Sequence, residues 1–182
     1  MINELYTGLV HHPVYNKFGE VVTTSITNLD IHDISRSCYT FGVKKFFVIT
    51  PLPTQKELLE KILKFWQSDI ANCYNKDRVN ALSIIEYAKD IETAKEMINS
   101  QGGDCLTVTT TAMELKNQLS YDEFVKLEKP VLLLFGTGNG LTRDVHEKAD
   151  FVLKPIHGNR NYNHLSVRSA VAIVLDRITS EK

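Results

Sequence analysis

Three glycines at alternate positions follow an uninterrupted apolar run in "PVLLLFGTGNGL", residues 130–141. The run Val131–Phe135 has the pattern of a strand buried on both faces of a parallel sheet. Gly136, Gly138 and Gly140 permit positive φ and let the backbone come close to another molecule. Because ligands of α/β sheets bind at the carboxyl ends of strands, this loop is a candidate ligand site.

Two well-known phosphate-binding loops do not fit this stretch. The dinucleotide motif G-x-G-x-x-G requires a glycine where the chain has Leu141, and the next predicted strand ends in Lys154 and Pro155, where an acidic ribose ligand would be needed. The phosphate loop G-x-x-x-x-G-K-[ST] fails because the stretch contains no lysine. A tight strand-to-helix turn with Thr142 as N-cap is the alternative to a ligand site.

A basic stretch lies about fifteen residues further along the chain. Residues 151–175 contain no acidic side chain, but they contain Lys154, Arg160 and Arg168, with His157 and His164 among them. Such a stretch is either a solvated face or a phosphate-binding edge. The polar residues of "YNHLSV" open the predicted last helix, whose free N–H groups suit a polar or anionic ligand.

The elements that must position these residues alternate along the chain. Strands are predicted at residues 5–12, 44–50, 81–88, 105–110, 131–135 and 150–156, and helices at about 28–41, 54–68, 91–100 and 164–178, with a loop over 15–28. This order indicates βαβ units, and so an α/β fold with a mainly parallel sheet and helices on both faces. A chain of 182 residues with 43% hydrophobic residues predicts one domain, residues 1–182.

Two helices carry further information. In the first, Ile31, Ile34, Cys38 and Phe41 recur at helical spacing, and Arg36 points nearly opposite to this buried stripe, free to face solvent or a ligand. The last helix is apolar almost all the way round, which predicts cover on more than one side and hence a partner subunit.

Charge and composition exclude several classes of function. A net charge of −1 and a pI near 6.6 give no global signature of a nucleic-acid-binding protein, so any RNA contact must come from a local patch. No apolar run approaches the ~18 residues of a membrane span, and no signal peptide is recognisable, which predicts a cytoplasmic protein. Three widely spaced cysteines are expected to be reduced and buried. His11 and His12 point to opposite faces of a strand and cannot share a metal, so no metal site is predicted.

Four blocks in a fixed order resemble one family. They are "NLDIHDISRSCYTFGVKKFFVITP", "LTVTTTA", "LLLFGTGNGL" and "VLKPIHGNRNYNHLSVRSAVAIVLDR". From about residue 5 to 179 the chain is similar to the SPOUT, or α/β-knot, RNA methyltransferases, and most closely to a small bacterial subfamily related to a segment sometimes joined to tRNA guanine-N1 methyltransferases. The resemblance implies a C-terminal trefoil knot, a homodimer through the knot and last helix, S-adenosylmethionine (SAM) as cofactor and an RNA substrate, tRNA or rRNA.

The resemblance also implies the site residues. Three loops would hold SAM through Thr109, Thr110, Phe135, Gly136, Gly138, Asn139, Gly140, Leu141, Pro155, Ile156, Asn163, Leu165 and Ser166. Asn28 and Arg36 match the motif "N…R.A..FG" and are expected beside the methyl group, with His164 as a candidate base where the ribose-methylating relatives have asparagine. Arg36, Lys154, Arg160 and Arg168 would contact RNA. A ribose 2′-hydroxyl acceptor is favoured; guanine N1 methylation and a non-catalytic dimeric RNA- or partner-binding module are the alternatives.

Overall fold

The computed structural model describes residues 4–160 and 162–179, which contain a central sheet with flanking helices. The strands are β1 (Leu5–Val10), β2 (Val14–Tyr15), β3 (Val21–Val22), β4 (Lys45–Ile49), β5 (Ile85–Ala88), β6 (Leu106–Thr109), β7 (Val131–Gly136) and β8 (Phe151–Val152). The helices are α1 (Asn28–Thr40), α2 (Pro53–Trp66), α3 (Asp69–Tyr74), α4 (Lys76–Leu82), α5 (Ile91–Asn99), α6 (Tyr121–Phe124), α7 (Arg143–Lys148) and α8 (Val167–Thr179).

The central sheet has six strands in the order β5-β4-β1-β7-β6-β8, and all its pairings are parallel. Strand β7 lies inside the sheet between β1 and β6, with Val10 opposite Gly136 and Thr109 opposite Leu134. The predicted α/β fold with a parallel sheet is confirmed. The trefoil knot stays a prediction from the family resemblance.

Apolar cores lie on both faces of the sheet, which explains why β7 is uninterrupted in hydrophobicity. Val131, Leu133 and Phe135 belong to the core that α1 and α8 cover. Leu132 and Leu134 alternate with them and belong to the opposite core, beside α5 and α7. A strand with period-two side chains and cover on both faces needs apolar residues at every position.

Several short elements were not predicted. The segment 15–28, expected as a loop, contains β3 and the second residue of β2, and these two strands form an antiparallel pair with Val14 opposite Val22. Helices α3 and α4 follow α2, and their N-caps are Ser68 and Asn75, whose side chains accept hydrogen bonds from the backbone of Ala71 and Arg78. Ser68 had been predicted as the last residue of the helix 54–68.

The C-terminal elements differ from prediction at their boundaries. Helix α8 begins at Val167 and not at His164, and the expected strand 150–156 is reduced to the two residues of β8. Within the chain, α8 packs against α1, α6 and β7, so several elements of one protomer already cover it. Of the cysteines, Cys38 and Cys105 are buried, but Cys73 is exposed, contrary to expectation. Within the described ranges, no helix combines the length and apolarity needed to cross a bilayer.

Candidate cofactor site

Three loops at the carboxyl ends of β6, β7 and β8 surround a cavity of about 640 Å³. The loop residues 110–113 follow β6, the loop residues 137–141 follow β7, and lining residues from the segment 153–166 follow β8. Thr24 and Thr27, which precede α1, and Asp30 in the first turn of α1 close the cavity. The loops meet because the parallel strands β6, β7 and β8 all end at the same edge of the sheet.

Gly136, which ends β7, and Gly138 in the loop after it are required for different structural reasons. A Cβ at Gly136 would lie 2.6 Å from the backbone nitrogen of Leu141, so this glycine lets the loop fold back on itself. Gly138 has a φ of +58°, and its Cβ would lie 2.7 Å from the carbonyl oxygen of Tyr15. Both glycines therefore shape the loop through contacts within the chain, before any ligand is considered.

Most residues predicted to hold the cofactor do line this cavity: Thr110, Phe135, Gly136, Gly138, Asn139, Gly140, Leu141, Ile156, Asn163, Leu165 and Ser166. Thr109 and Pro155 do not. The Thr109 hydroxyl is buried, lies 2.8 Å from Nδ1 of His146 and donates to the Phe151 carbonyl at 3.4 Å. Thr109 thus links β6 to α7 and β8 behind the cavity. Burial also lowers the pKa of His146 below its ordinary value.

The three residues predicted to act in catalysis do not meet in one protomer. His164 lies at the cavity and is exposed, with its ring edge-on to Tyr162 at 5.4 Å between centroids. Asn28 lines a separate pocket beside Trp66. Arg36 is exposed on α1 and does not line the cavity, although it does lie opposite the buried stripe, as α1 was predicted to place it.

The predicted RNA-binding residues fall into two groups. Lys154 lines the cavity and is exposed, and Arg160 is exposed in the loop that follows. Arg168 is instead engaged within the chain, where Nη1 lies 3.1 Å from Oδ1 of Asp30 and Nε lies 3.6 Å from Oδ2 of Asp33. Its charge is therefore balanced by α1, which leaves Lys154 and Arg160 as the cations of this stretch that face solvent.

Asp30 is a cavity residue that the sequence analysis missed. The residue is 8% exposed, and its carboxylate accepts a hydrogen bond from the Thr27 hydroxyl at 2.7 Å and pairs with Arg168. The available signal was its position: Asp30 lies four residues before Ile34 on the stripe that α1 buries. A carboxylate on a buried stripe requires a partner, and this one joins α1 to α8 beside the cavity.

No cluster of metal ligands emerges from the ranges 4–160 and 162–179. A search of those residues finds no group of three or more histidine, cysteine, aspartate or glutamate side chains that could hold a metal ion. The polar groups that line the cavity are mainly hydroxyls, amides and backbone atoms. With its apolar residues Phe135, Leu141 and Ile156, the cavity has the composition expected for an organic ligand of nucleoside size.

The fold is shared with known methyltransferases. The match to a TrmH/SpoU tRNA modifying enzyme of Aquifex aeolicus covers 97% of this chain and 73% of that enzyme's chain, with a TM-score of 0.57 and 14% sequence identity. The SpoU methyltransferase AviRb of Streptomyces viridochromogenes, solved in complex with AdoMet, matches 98% of this chain and 58% of its own, with a TM-score of 0.58 and 15% identity. At these identities the likeness establishes the SPOUT fold.

Sequence relatives and a family model extend this likeness to the whole described chain. Two curated relatives named tRNA (guanine-N(1)-)-methyltransferase, from Oleidesulfovibrio alaskensis and Nitratidesulfovibrio vulgaris, are 41% and 42% identical over 97% of the chain. The match spans only 42% of the length of each of these relatives. A family model described as SAM-dependent RNA methyltransferase matches residues 4–180. On this match the chain belongs to the family of SAM-dependent RNA methyltransferases.

Proposed function

We propose that the chain binds SAM in the cavity and transfers a methyl group to tRNA. The observation that carries the proposal is the cavity itself, enclosed by three strand-end loops that include most of the residues the family resemblance assigned to the cofactor. Its volume of about 640 Å³ lies within the range of small-molecule sites, roughly 300–1,000 Å³. Two relatives named as tRNA methyltransferases support the choice of tRNA.

The residues present suit such a cofactor. Phe135, Leu141 and Ile156 offer apolar cover for a purine, and Asn139 and Asn163 offer amide groups at the rim. Bound SAM supplies an electrophilic methyl group. What the chain must add is position and the removal of one proton from the acceptor atom.

We assign the removal of this proton from the acceptor atom to His164. It is exposed at the cavity, so an acceptor arriving from solvent meets it directly, and an imidazole nitrogen can act as a general base. Lys154 and Arg160 would draw the RNA backbone towards the same opening through their charge. Arg36 lies outside the cavity of its own protomer, so its role requires the predicted homodimer, in which it would serve the cavity of the second copy.

Two acceptor atoms are supported by different observations. Guanine N1 is supported by the names of the two relatives, which are more than twice as long as this chain. A ribose 2′-hydroxyl is supported by the similarity of Asn28 and Arg36 to the ribose-methylating motif. Guanine N1 is the stronger candidate, because it rests on proteins with 41% and 42% identity over nearly the whole chain.

Binding and transfer are tested separately. Calorimetry with S-adenosylhomocysteine should give about one site per chain, and absence of binding would contradict the proposal. Labelled SAM is then incubated with tRNA from a strain that lacks the protein, and nucleosides are identified by mass spectrometry. Label in 1-methylguanosine supports the guanine acceptor, and label in a 2′-O-methylnucleoside supports the ribose. Binding without transfer to any RNA would favour the non-catalytic module.

A double variant tests the role of the exposed cations. Lys154→Ala with Arg160→Ala should weaken RNA binding and reduce the salt dependence of log K by roughly two units, because about two phosphate contacts are lost. The single variant Arg160→Ala, at a residue that does not line the cavity, should leave binding of S-adenosylhomocysteine unchanged. Lys64→Ala on α2, an exposed lysine on the other half of the sheet, is the matched control and should leave RNA binding as it is.

A further inference from the structure

A chain of hydrogen bonds lies behind the wall of the cavity and joins three segments distant in sequence. Nδ1 of His11, at the end of β1, lies 3.0 Å from Oγ1 of Thr24, and Thr24 Oγ1 lies 2.5 Å from Oγ1 of Thr137. The Thr137 hydroxyl reaches the carbonyl oxygen of Val10 at 3.1 Å. Thr24 and Thr137 line the cavity, whereas His11 is fully buried behind them.

The Val10 carbonyl, where this series of hydrogen bonds ends, fixes the donor and the acceptor of each bond. A carbonyl can only accept, so the Thr137 hydroxyl donates its single proton to it. Thr137 must then accept from the Thr24 hydroxyl, and Thr24 must accept from Nδ1–H of His11. His11 is therefore the tautomer that carries its proton on Nδ1.

The surroundings of the other ring nitrogen lead to the same tautomer. Nε2 of His11 is buried and finds no hydrogen-bond partner among residues 4–160 and 162–179. A proton on Nε2 would be a buried donor without an acceptor, which costs more than an unpaired lone pair. Burial also lowers the pKa of His11 to about 4, against a smaller opposing effect of Asp30, so the ring is neutral at pH 7.

This network limits the hydrogen bonds that Thr24 and Thr137 can make to a ligand. Thr24 and Thr137 have both committed their protons to other atoms of the protein, so towards the cavity their oxygens can only accept hydrogen bonds. The backbone holds the same segments, since Thr24 N donates to the His11 carbonyl at 2.9 Å and Thr137 N to the Val10 carbonyl at 3.2 Å. The hydroxyl pair is thus fixed in place and fixed in polarity.

We propose that His11 is a positioning residue of the cofactor cavity: its Nδ1–H holds the hydroxyls of Thr24 and Thr137 as acceptors for an N–H or O–H group of the bound cofactor. This inference rests on the proposed binding of SAM. It assigns the wall formed by Thr24 and Thr137 to a donor group of the ligand, such as an amino or ribose hydroxyl group.

Paired variants separate the hydrogen bond from the bulk of the side chain. His11→Asn keeps an N–H near the position of Nδ1, whereas His11→Leu keeps the volume without the donor. Thr137→Ser keeps the hydroxyl, and Thr137→Val removes it. Calorimetry should show Kd for S-adenosylhomocysteine raised about tenfold by His11→Leu and by Thr137→Val, but by less than about threefold in the two conservative variants.

The outcomes distinguish this inference from the proposed function. If wild-type protein binds and His11→Leu binds equally well, the positioning role is wrong and SAM binding stands. Equal losses in His11→Leu and His11→Asn would show that packing matters and the donor does not. If wild-type protein does not bind S-adenosylhomocysteine, the proposed function has failed first.

A spectroscopic readout does not depend on the cofactor. In ¹⁵N NMR spectra of the free protein, Nδ1 of His11 should have the shift of a protonated nitrogen and Nε2 that of a bare one. Thr24→Val should remove this preference while leaving the protein folded. The opposite tautomer in the wild-type protein would overturn the inference.

Discussion

The two halves of one sheet end very differently at the same edge. In the helix half, β4 leads into α2 through Thr50–Leu52, and β5 leads into α5 through Lys89 and Asp90 alone. In the cavity half, β6, β7 and β8 lead into the longer segments 110–120, 137–142 and 153–166 before the next helix begins. The difference shows that this cavity lies where the chain delays its helices, since long loops after strands can surround a ligand.

Helix capping does not follow the same division, since Ser120 caps α6 in the cavity half and α2 in the helix half has no side-chain cap. In the helix half, Asp90 accepts from the backbone N–H of Thr93 at 2.8 Å and so caps α5. In the cavity half, Thr142 is the N-cap residue of α7, as the alternative prediction placed it, but its side chain makes no capping bond. Polar groups of the cavity half also bond across segments, as Asn163 does to the carbonyl of Ala112 at 3.0 Å.

The largest effect is expected from Gly138→Ala, which attacks the loop geometry of the cavity half. The new Cβ would lie 2.7 Å from the Tyr15 carbonyl at a positive φ, so the loop and the β2 segment must separate. S-adenosylhomocysteine affinity measured by calorimetry should fall about a hundredfold. Gly19→Ala, also at positive φ but with open space around it, should cost only about 1 kcal/mol of stability and leave affinity unchanged. An equal loss of S-adenosylhomocysteine affinity in both variants would mean that backbone strain alone explains the effect.

Acid should destabilise the cavity half through His11. Its folded-state pKa of about 4 lies below the unfolded value of 6.5, so the unfolded state binds the proton more tightly and stability is lost as pH falls through this window. The contribution is about 3 kcal/mol for the full shift, with Asp30 as the charged group that opposes it. His32 and His146, also with lowered pKa, act in the same direction. Denaturation at pH 7 and pH 4.5 should show that His11→Asn loses less free energy of unfolding between the two pH values than the wild-type protein does. An identical loss would contradict the assignment of this acid effect to His11.

Asp30→Ala should cost about 2 kcal/mol, because it leaves the half-buried Arg168 without its nearer partner and removes a link between α1 and α8. Asp33→Ala is the matched control, since Asp33 faces the same arginine at 3.6 Å but is about half exposed. It should change stability by less than about 0.5 kcal/mol. Urea denaturation measures both, and similar values would show that burial is not what strengthens the pair.

The smallest effect is expected on the helix half. Asp90→Ala removes the cap of α5 and should lower the free energy of unfolding by about 1 kcal/mol. Because α5 does not contribute to the cavity, binding of S-adenosylhomocysteine should be unchanged. A marked loss of affinity in this variant would break the division into two halves.

The sequence predicted what depends on local pattern. The uninterrupted run Val131–Phe135 indicated a strand with two covered faces, and α1 was predicted nearly to its ends from the helical spacing of its apolar residues. The start of α8 was predicted three residues too early. Ser166 accepts a hydrogen bond from Ser169 N at 3.3 Å in the manner of an N-cap, while Asn163 is drawn away to Ala112. That second contact is tertiary, and no local pattern contains it.

The candidate site divides in the same way. Loop residues after strands could be assigned by motif, whereas Asp30, Thr24 and His11 join the site only through partners 13 to 138 residues away in sequence. The structure also separates Asn28 and Arg36 from the cavity of their own chain, which adjacency in a motif could not reveal.

The position of β1 in the sheet has a consequence for how the protein is made. β1 lies between β4 and β7, so one side of it pairs early while the other waits for a strand that emerges more than 120 residues later, at Val131. Pairing of strands so far apart in sequence slows folding, because the entropy cost of closing a long loop comes before the favourable contacts form. During synthesis on the ribosome, β1 therefore has an unsatisfied edge until the last third of the chain has appeared. The N-terminal half alone is a nascent chain with an exposed apolar strand, and chaperones would find their binding site there.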